Sequence, residues 1–303
     1  MTATAAQLTG IAAGVPFLAI PPTTRPRTCA PVVVAWHLMD SPRTEAALAA
    51  ALPLEGLDAW RIYLGLPMSG SRLPSGGVEE LMRLGYEDAV RNLHGPIINQ
   101  AAEEFMPAFT ELRARFGFGN GPIGVIGGSA GAAVAQLVIA ESDVEIAAAV
   151  LVSPLVQLHP VVEALGRHFG ITYPWSQPSL AIAHRLDFVA RVQEIALPSQ
   201  PAILLVVGED DDRDAIRTPA TRMCQELAKQ YVDPARVQLM LIPGMAHALA
   251  EEPGVEPAPQ TAHAAKADRH TVSWLQRHLA SSVVTAGSTS LIDQSGTPES
   301  GDR

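Results

Sequence analysis

Several short segments of this 303-residue chain are apolar almost throughout, and they limit its fold more than any other feature. They are PVVVAWH (31–37), PIGVIGG (122–128), IAAAVLVSP (146–154), PAILLVVGE (201–209) and VQLMLIPG (237–244). A strand with one wet face alternates apolar and polar residues. These segments do not alternate, so both of their faces are expected to be covered, as in a parallel sheet with helices on each side. WRIYLGLP (60–67) reads as a further strand and GVPFLAIPP (14–22) as an early edge strand.

Helical patterns separate these runs. Residues 41–54 read as a helix with Ser41 as its cap and Pro42 at its first position. Residues 77–93, 97–117, 129–141, 218–232 and 262–282 are also read as helical. The alternation predicts an α/β class chain with a doubly wound, mostly parallel sheet. About 45 residues separate the strand ending near Pro154 from that starting near Pro201, too many for a simple connection. Their apolar spacing predicts short helices that form a small cap insertion at about 155–200. The expected organisation is an N-terminal tail over 1–13, a domain over 14–280, and a disordered Ser/Thr/Gly-rich tail over 281–303.

The chemistry centres on PIGVIGGSAGAAVAQLVIAE (122–141), where Gly127-Gly128-Ser129-Ala130-Gly131 joins a strand to a helix. That is the context of a nucleophile elbow: a strained turn presents the serine, and glycines on either side remove crowding. The dinucleotide spacing G-x-G-x-x-G is absent, and no lysine follows as a phosphate loop would need. A plain tight turn stays open unless Ser129 has partners. Serine needs a histidine base, and the histidine an orienting carboxylate. Two later strands supply both at the same sheet edge: EDDDRD follows 201–208, and GMAHALAEEPG follows 237–243. His247 is the expected base. Asp211, three residues after Gly208, is the expected acid, with Asp212 its close rival and Asp210 and Asp214 behind. The oxyanion donors are expected to be the amides of Ala130 and of Met39 in AWHLMDSP, with Leu38 second to Met39. His37 is read as fixing that loop.

The set AWHLMD, GGSAG, VVGEDDD and GMAHALAEEPG resembles the α/β-hydrolase fold superfamily over roughly residues 14–280. It looks most like bacterial esterases and dienelactone-hydrolase-like members, which border the prolyl-oligopeptidase-type serine hydrolases. By this resemblance Ser129, Asp211 and His247 match the family's nucleophile, acid and base. Leu38 stands where many members carry glycine after the histidine, and the His-Gly-Gly-Gly loop of hormone-sensitive-lipase-like esterases is absent.

The resemblance implies a serine hydrolase that cleaves small to medium carboxylic esters through an acyl-enzyme. A peptidase or amidase of prolyl-oligopeptidase type is the alternative, weakened by the lack of room for a large extra domain. A non-catalytic binder of the same fold is the third reading. No metal or organic cofactor is expected. Residues expected to face substrate are Trp36, Leu38 and Met245 at strand ends and Trp175 in the cap, with Met68, Phe169 and Tyr173 as further apolar candidates.

Composition narrows the partners. A net charge of −10 with no basic stripe argues against nucleic acid and anionic membranes. No apolar run reaches the ~18–20 residues that cross a bilayer. The N-terminus lacks a basic start and a secretory pattern, so a cytoplasmic location is expected. Cys29 and Cys224, far apart, give no disulfide framework. The expected partner is a small-molecule ester, and a homodimer is compatible with the sequence.

Overall fold

The computed structural model describes residues 6–196 and 199–280. Eight strands form one sheet: β1 (Leu8–Ala12), β2 (Val15–Ile20), β3 (Val32–Trp36), β4 (Trp60–Leu64), β5 (Ile123–Gly128), β6 (Ile146–Val152), β7 (Ala202–Gly208) and β8 (Val237–Ile242). Their order is β1-β2-β4-β3-β5-β6-β7-β8. The pairs β1/β2 and β2/β4 are antiparallel, and the remaining neighbours are parallel. This is the α/β-hydrolase arrangement.

The helices are α1 (Glu45–Ala51), α2 (Gly77–Asp88), α3 (Gly95–Phe116), α4 (Ala130–Glu141), α5 (Leu158–Phe169), α6 (Gln177–Arg185), α7 (Val192–Ala196), α8 (Thr218–Gln230) and α9 (Ala262–Leu279). They cover both sheet faces, which is why the strands are apolar throughout. On β3, Val32, Val34 and Trp36 pack into one core with α3, α4 and α8. Val33 and Ala35 pack into a second core with α1 and α9. At ~25 cal/mol per Å² of apolar surface, burial on two faces is the main stabilising term for such strands.

Three expectations are corrected. Residues 8–12, read as tail, form β1, whose five residues pair with β2. The segment 14–22 therefore holds an interior strand, and β1 takes the edge. Ser41 does not cap α1. Thr44 does, with its hydroxyl accepting from the Ala47 amide at 3.1 Å, while the Ser41 hydroxyl donates to the Glu251 carbonyl at 2.8 Å. Between β6 and β7, where the cap insertion was expected, lie α5, α6 and α7. The tail expected over 281–303 lies outside the described residues. Among the described residues, no helix is long and apolar enough to cross a membrane.

Candidate active site

The parallel strands end at one edge, and the residues with reactive chemistry gather there. Ser129 joins β5 to α4 with φ 48° and ψ −114°. A non-glycine residue in such a conformation costs on the order of 1–3 kcal/mol, and the surroundings must hold it. Its amide donates to the Val152 carbonyl at 3.0 Å, and its carbonyl accepts from the Leu155 amide at 3.2 Å. The flanking glycines answer to space. A Cβ at Gly127 would lie 2.2 Å from the Gly131 carbonyl oxygen, and one at Gly131 would lie 2.4 Å from that of Trp36.

The loops after β7 and β8 are fastened together. The Asp210 amide donates to the Met245 carbonyl at 2.9 Å, and the Glu209 amide to Ile242 at 3.1 Å. This brings His247 against Asp211. Nδ1 of His247 lies 3.1 and 3.0 Å from the two Asp211 oxygens, and Nε2 lies 2.9 Å from Ser129 Oγ. Asp211 is only 6% exposed. Asp212, its rival, faces solvent and caps the turn at 213–217 by accepting from the Asp214 and Ala215 amides. Burial opposes charge on His247. The Asp211 hydrogen bond, its charge, and the charges of Asp40 and Asp212 outweigh burial and raise the imidazole pKa above its ordinary value.

The loop after β3 is organised by His37, which is fully buried. Its Nε2 accepts from the Leu66 amide at 3.0 Å, so Nδ1 carries the proton and donates to the Leu38 carbonyl at 2.6 Å. Burial, chiefly, lowers its pKa to about 4, so the ring is neutral at pH 7. In a trans peptide the carbonyl and the following N–H point in opposite directions. The Leu38 carbonyl is turned in to His37, so the Met39 N–H is turned the other way. Among the described residues, neither the Met39 amide nor the Ala130 amide donates to another protein group. This loop is also tied to the His247 loop: the Leu249 amide donates to Ser41 at 2.9 Å, and the Arg43 amide to Gly254 at 2.7 Å.

Ser129, His247, Asp211 and Met39 border one cavity of about 520 Å³. The substrate-facing candidates do not. Trp36 is buried and packs edge-on against Phe105, because its place on β3 puts it on the α3 side of the sheet. Leu38 is buried over Gly128, where a Cβ would lie 2.2 Å from its Cδ1. Met245 is buried in the core shared with α9. Trp175 stacks on His159 with ring centroids 4.3 Å apart, away from the cavity.

The apolar wall is instead made by Leu93, Leu155, Val161, Ala164 and Leu165, which sequence reasoning missed. Val161, Ala164, Leu165 and His168 recur at i, i+3, i+4 and i+7, one face of α5; that stripe within the expected cap was the available signal. The polar wall holds Asp40, Asp210 and Asp212 beside His247. His94 also borders the cavity, buried, with both ring nitrogens lacking a partner, and burial lowers its pKa to about 4. Among the described residues, no group of three His, Cys, Asp or Glu side chains could hold a metal ion.

A model of the prolyl oligopeptidase family matches residues 86–282, more than half of the chain. No curated protein sequence matches. Among solved structures, TT1662 from Thermus thermophilus is 17% identical with a TM-score of 0.59, covering 91% of this chain and 98% of that one. A puromycin-hydrolyzing peptidase of Mycobacterium tuberculosis is 15% identical with a TM-score of 0.62, covering 91% and 40%. Est1E from Butyrivibrio proteoclasticus is 14% identical with a TM-score of 0.57, covering 90% and 99%. The chain thus spans nearly all of TT1662 and Est1E, and two fifths of the length of the peptidase. At these identities the likeness is one of fold.

Proposed function

The chain belongs to the prolyl oligopeptidase family of serine hydrolases, and from that premise we propose that it cleaves carboxylic esters of small to medium size through Ser129, His247 and Asp211. The carrying observation is the continuous path from Ser129 Oγ through His247 to the buried Asp211 carboxylate, at 2.9 and 3.0 Å. In this reading Ser129 attacks the ester carbonyl as His247 Nε2 takes its proton. Asp211 holds the imidazole and stabilises its charged form. The Ala130 and Met39 N–H groups receive the oxyanion. His247 then protonates the leaving alcohol, and water, deprotonated by the same imidazole, releases the acyl group from Ser129.

The walls of the cavity support neutral substrates. Asp40, Asp210 and Asp212 repel a carboxylate-bearing ester, while the leucine and valine wall suits an apolar acyl group. The same three carboxylates favour one second reading: an aminopeptidase or amidase whose substrate presents an ammonium group to them.

The deciding experiment is a panel of neutral esters, thioesters and aminoacyl arylamides, with Ser129→Ala as control. The ester reading expects kcat/KM for p-nitrophenyl butyrate to exceed that for every arylamide, and to vanish in the control. Faster cleavage of aminoacyl arylamides would reverse the order of the two readings.

A further inference from the structure

Beside the cavity runs a second, apolar groove of about 360 Å³ between α2 and α5. Helix α2 buries none of its residues. On it Met82 is 69% exposed and Tyr86 80%, and across the groove Phe169 is 65% exposed and Ile171 42%. Large apolar side chains concentrated in one concave patch mark a binding surface.

The groove adjoins the cavity that holds Ser129. Leu93 and Leu165 line both spaces. Helix α5 stands between them, turning Val161 and Ala164 to the cavity and Val162 and Phe169 to the groove. The Tyr173 hydroxyl, donating to Asp88 at 2.5 Å, ties the 170–176 segment to the end of α2 along the groove.

Which half of an ester lies there follows from the two walls. The leaving oxygen must reach His247 Nε2 to be protonated, and His247 stands with Asp210, Asp211 and Asp212 on the polar wall. The acyl half is left to the apolar wall, and Leu93 and Leu165 of that wall also border the groove. We propose that the groove binds the hydrocarbon chain of the acyl group, so that the preferred substrates are esters of medium-chain fatty acids. This rests on Ser129 being the nucleophile.

The test compares p-nitrophenyl esters from acetate to dodecanoate with alkyl acetates of matching length. Once the acyl chain passes Leu165, kcat/KM is expected to rise about fourfold per methylene, the gain from burying one CH2. Gly85→Phe tests the site, because a Cβ at Gly85 lies 3.0 Å from Leu93 Cδ2 and directs a ring into the groove. It is expected to cut the decanoate-to-acetate ratio by tenfold or more. Ile171→Asp, at an exposed position, is expected to lower the same ratio without relying on a helix substitution.

A wild-type profile flat with acyl length, a rise that follows the alcohol chain, or an unchanged ratio in both variants would overturn the proposal. So would a second copy seated on the groove, seen as concentration-dependent mass that Phe169→Asp abolishes. Loss of all ester cleavage, with Ser129 unreactive to a fluorophosphonate, would instead strike the serine-hydrolase reading and remove the proposal with it.

Discussion

His37 Nδ1 lies 2.6 Å from the Leu38 carbonyl oxygen, and this bond sets the direction of the next peptide N–H, that of Met39. A histidine at the end of β3 thus acts through the backbone on the amide proposed to receive the oxyanion. His37→Leu frees the Leu38 carbonyl to rotate. The expected result is a fall of about 10–100-fold in kcat with little change in KM, somewhat less than loss of an oxyanion donor outright. Steady-state kinetics on a short ester checks this, with circular dichroism to confirm the fold.

Asp211 and Asp212 are adjacent but have different tasks. Asp211→Asn leaves His247 without a carboxylate to hold its tautomer, and kcat is expected to drop about 10⁴-fold. Asp212→Asn removes a turn cap and one of the charges beside His247 but not the carboxylate bonded to Nδ1, so its loss in kcat should stay within roughly tenfold. Equal losses in the two variants would contradict the geometry.

The raised pKa of His247 places the acid limb of the pH profile above the ordinary histidine value. The imidazole must be neutral to act as base, so kcat/KM rises with pH through that limb. Asp40 helps raise the pKa, and its side chain is 53% exposed. Asp40→Asn is therefore expected to move the limb to lower pH without disturbing the fold, as a kcat/KM profile from pH 5 to 9 would show.

His37 and His94 both carry pKa values lowered to about 4 by burial. Unfolded, each binds a proton near pH 6.5, so the unfolded state holds more protons between those values and stability falls as pH falls. From pH 7 to 5 each histidine is expected to cost ~2 kcal/mol. Urea unfolding at the two pH values measures this for one histidine by difference: His94→Leu should make the pH 7 to 5 loss smaller by ~2 kcal/mol than in the wild type. Because both nitrogens of His94 lack partners, that variant should be as stable as the wild type at pH 7, or more so.

Much of the fold and of the site is legible in the sequence, for physical reasons. Apolar strands announce a sheet covered on two faces, and the ends of β5, β7 and β8 bring Ser129, Asp211 and His247 to one edge whatever the loop details. Side-chain direction is a different matter. Trp36 stands at the right height on β3, but its register with Val32 and Val34 turns it to the α3 core. Met245 lies two residues from His247, yet only its carbonyl serves the site, by receiving the Asp210 amide. β1 escaped because a short strand with three exposed residues, Thr9-Gly10-Ile11, has little apolar pattern of its own. The apolar wall escaped because a stripe on one helix does not reveal which neighbour it faces.

The proposed hydrolysis stands on His247 and Asp211 making Ser129 a nucleophile. The most direct measurement is intact-protein and peptide mass spectrometry after exposure to a fluorophosphonate, alongside ester turnover. One phosphonyl group per chain, located on Ser129, is expected, with activity lost in proportion and no labelling of Ser129→Ala. An unmodified Ser129, or ester hydrolysis undiminished in Ser129→Ala, would contradict the account.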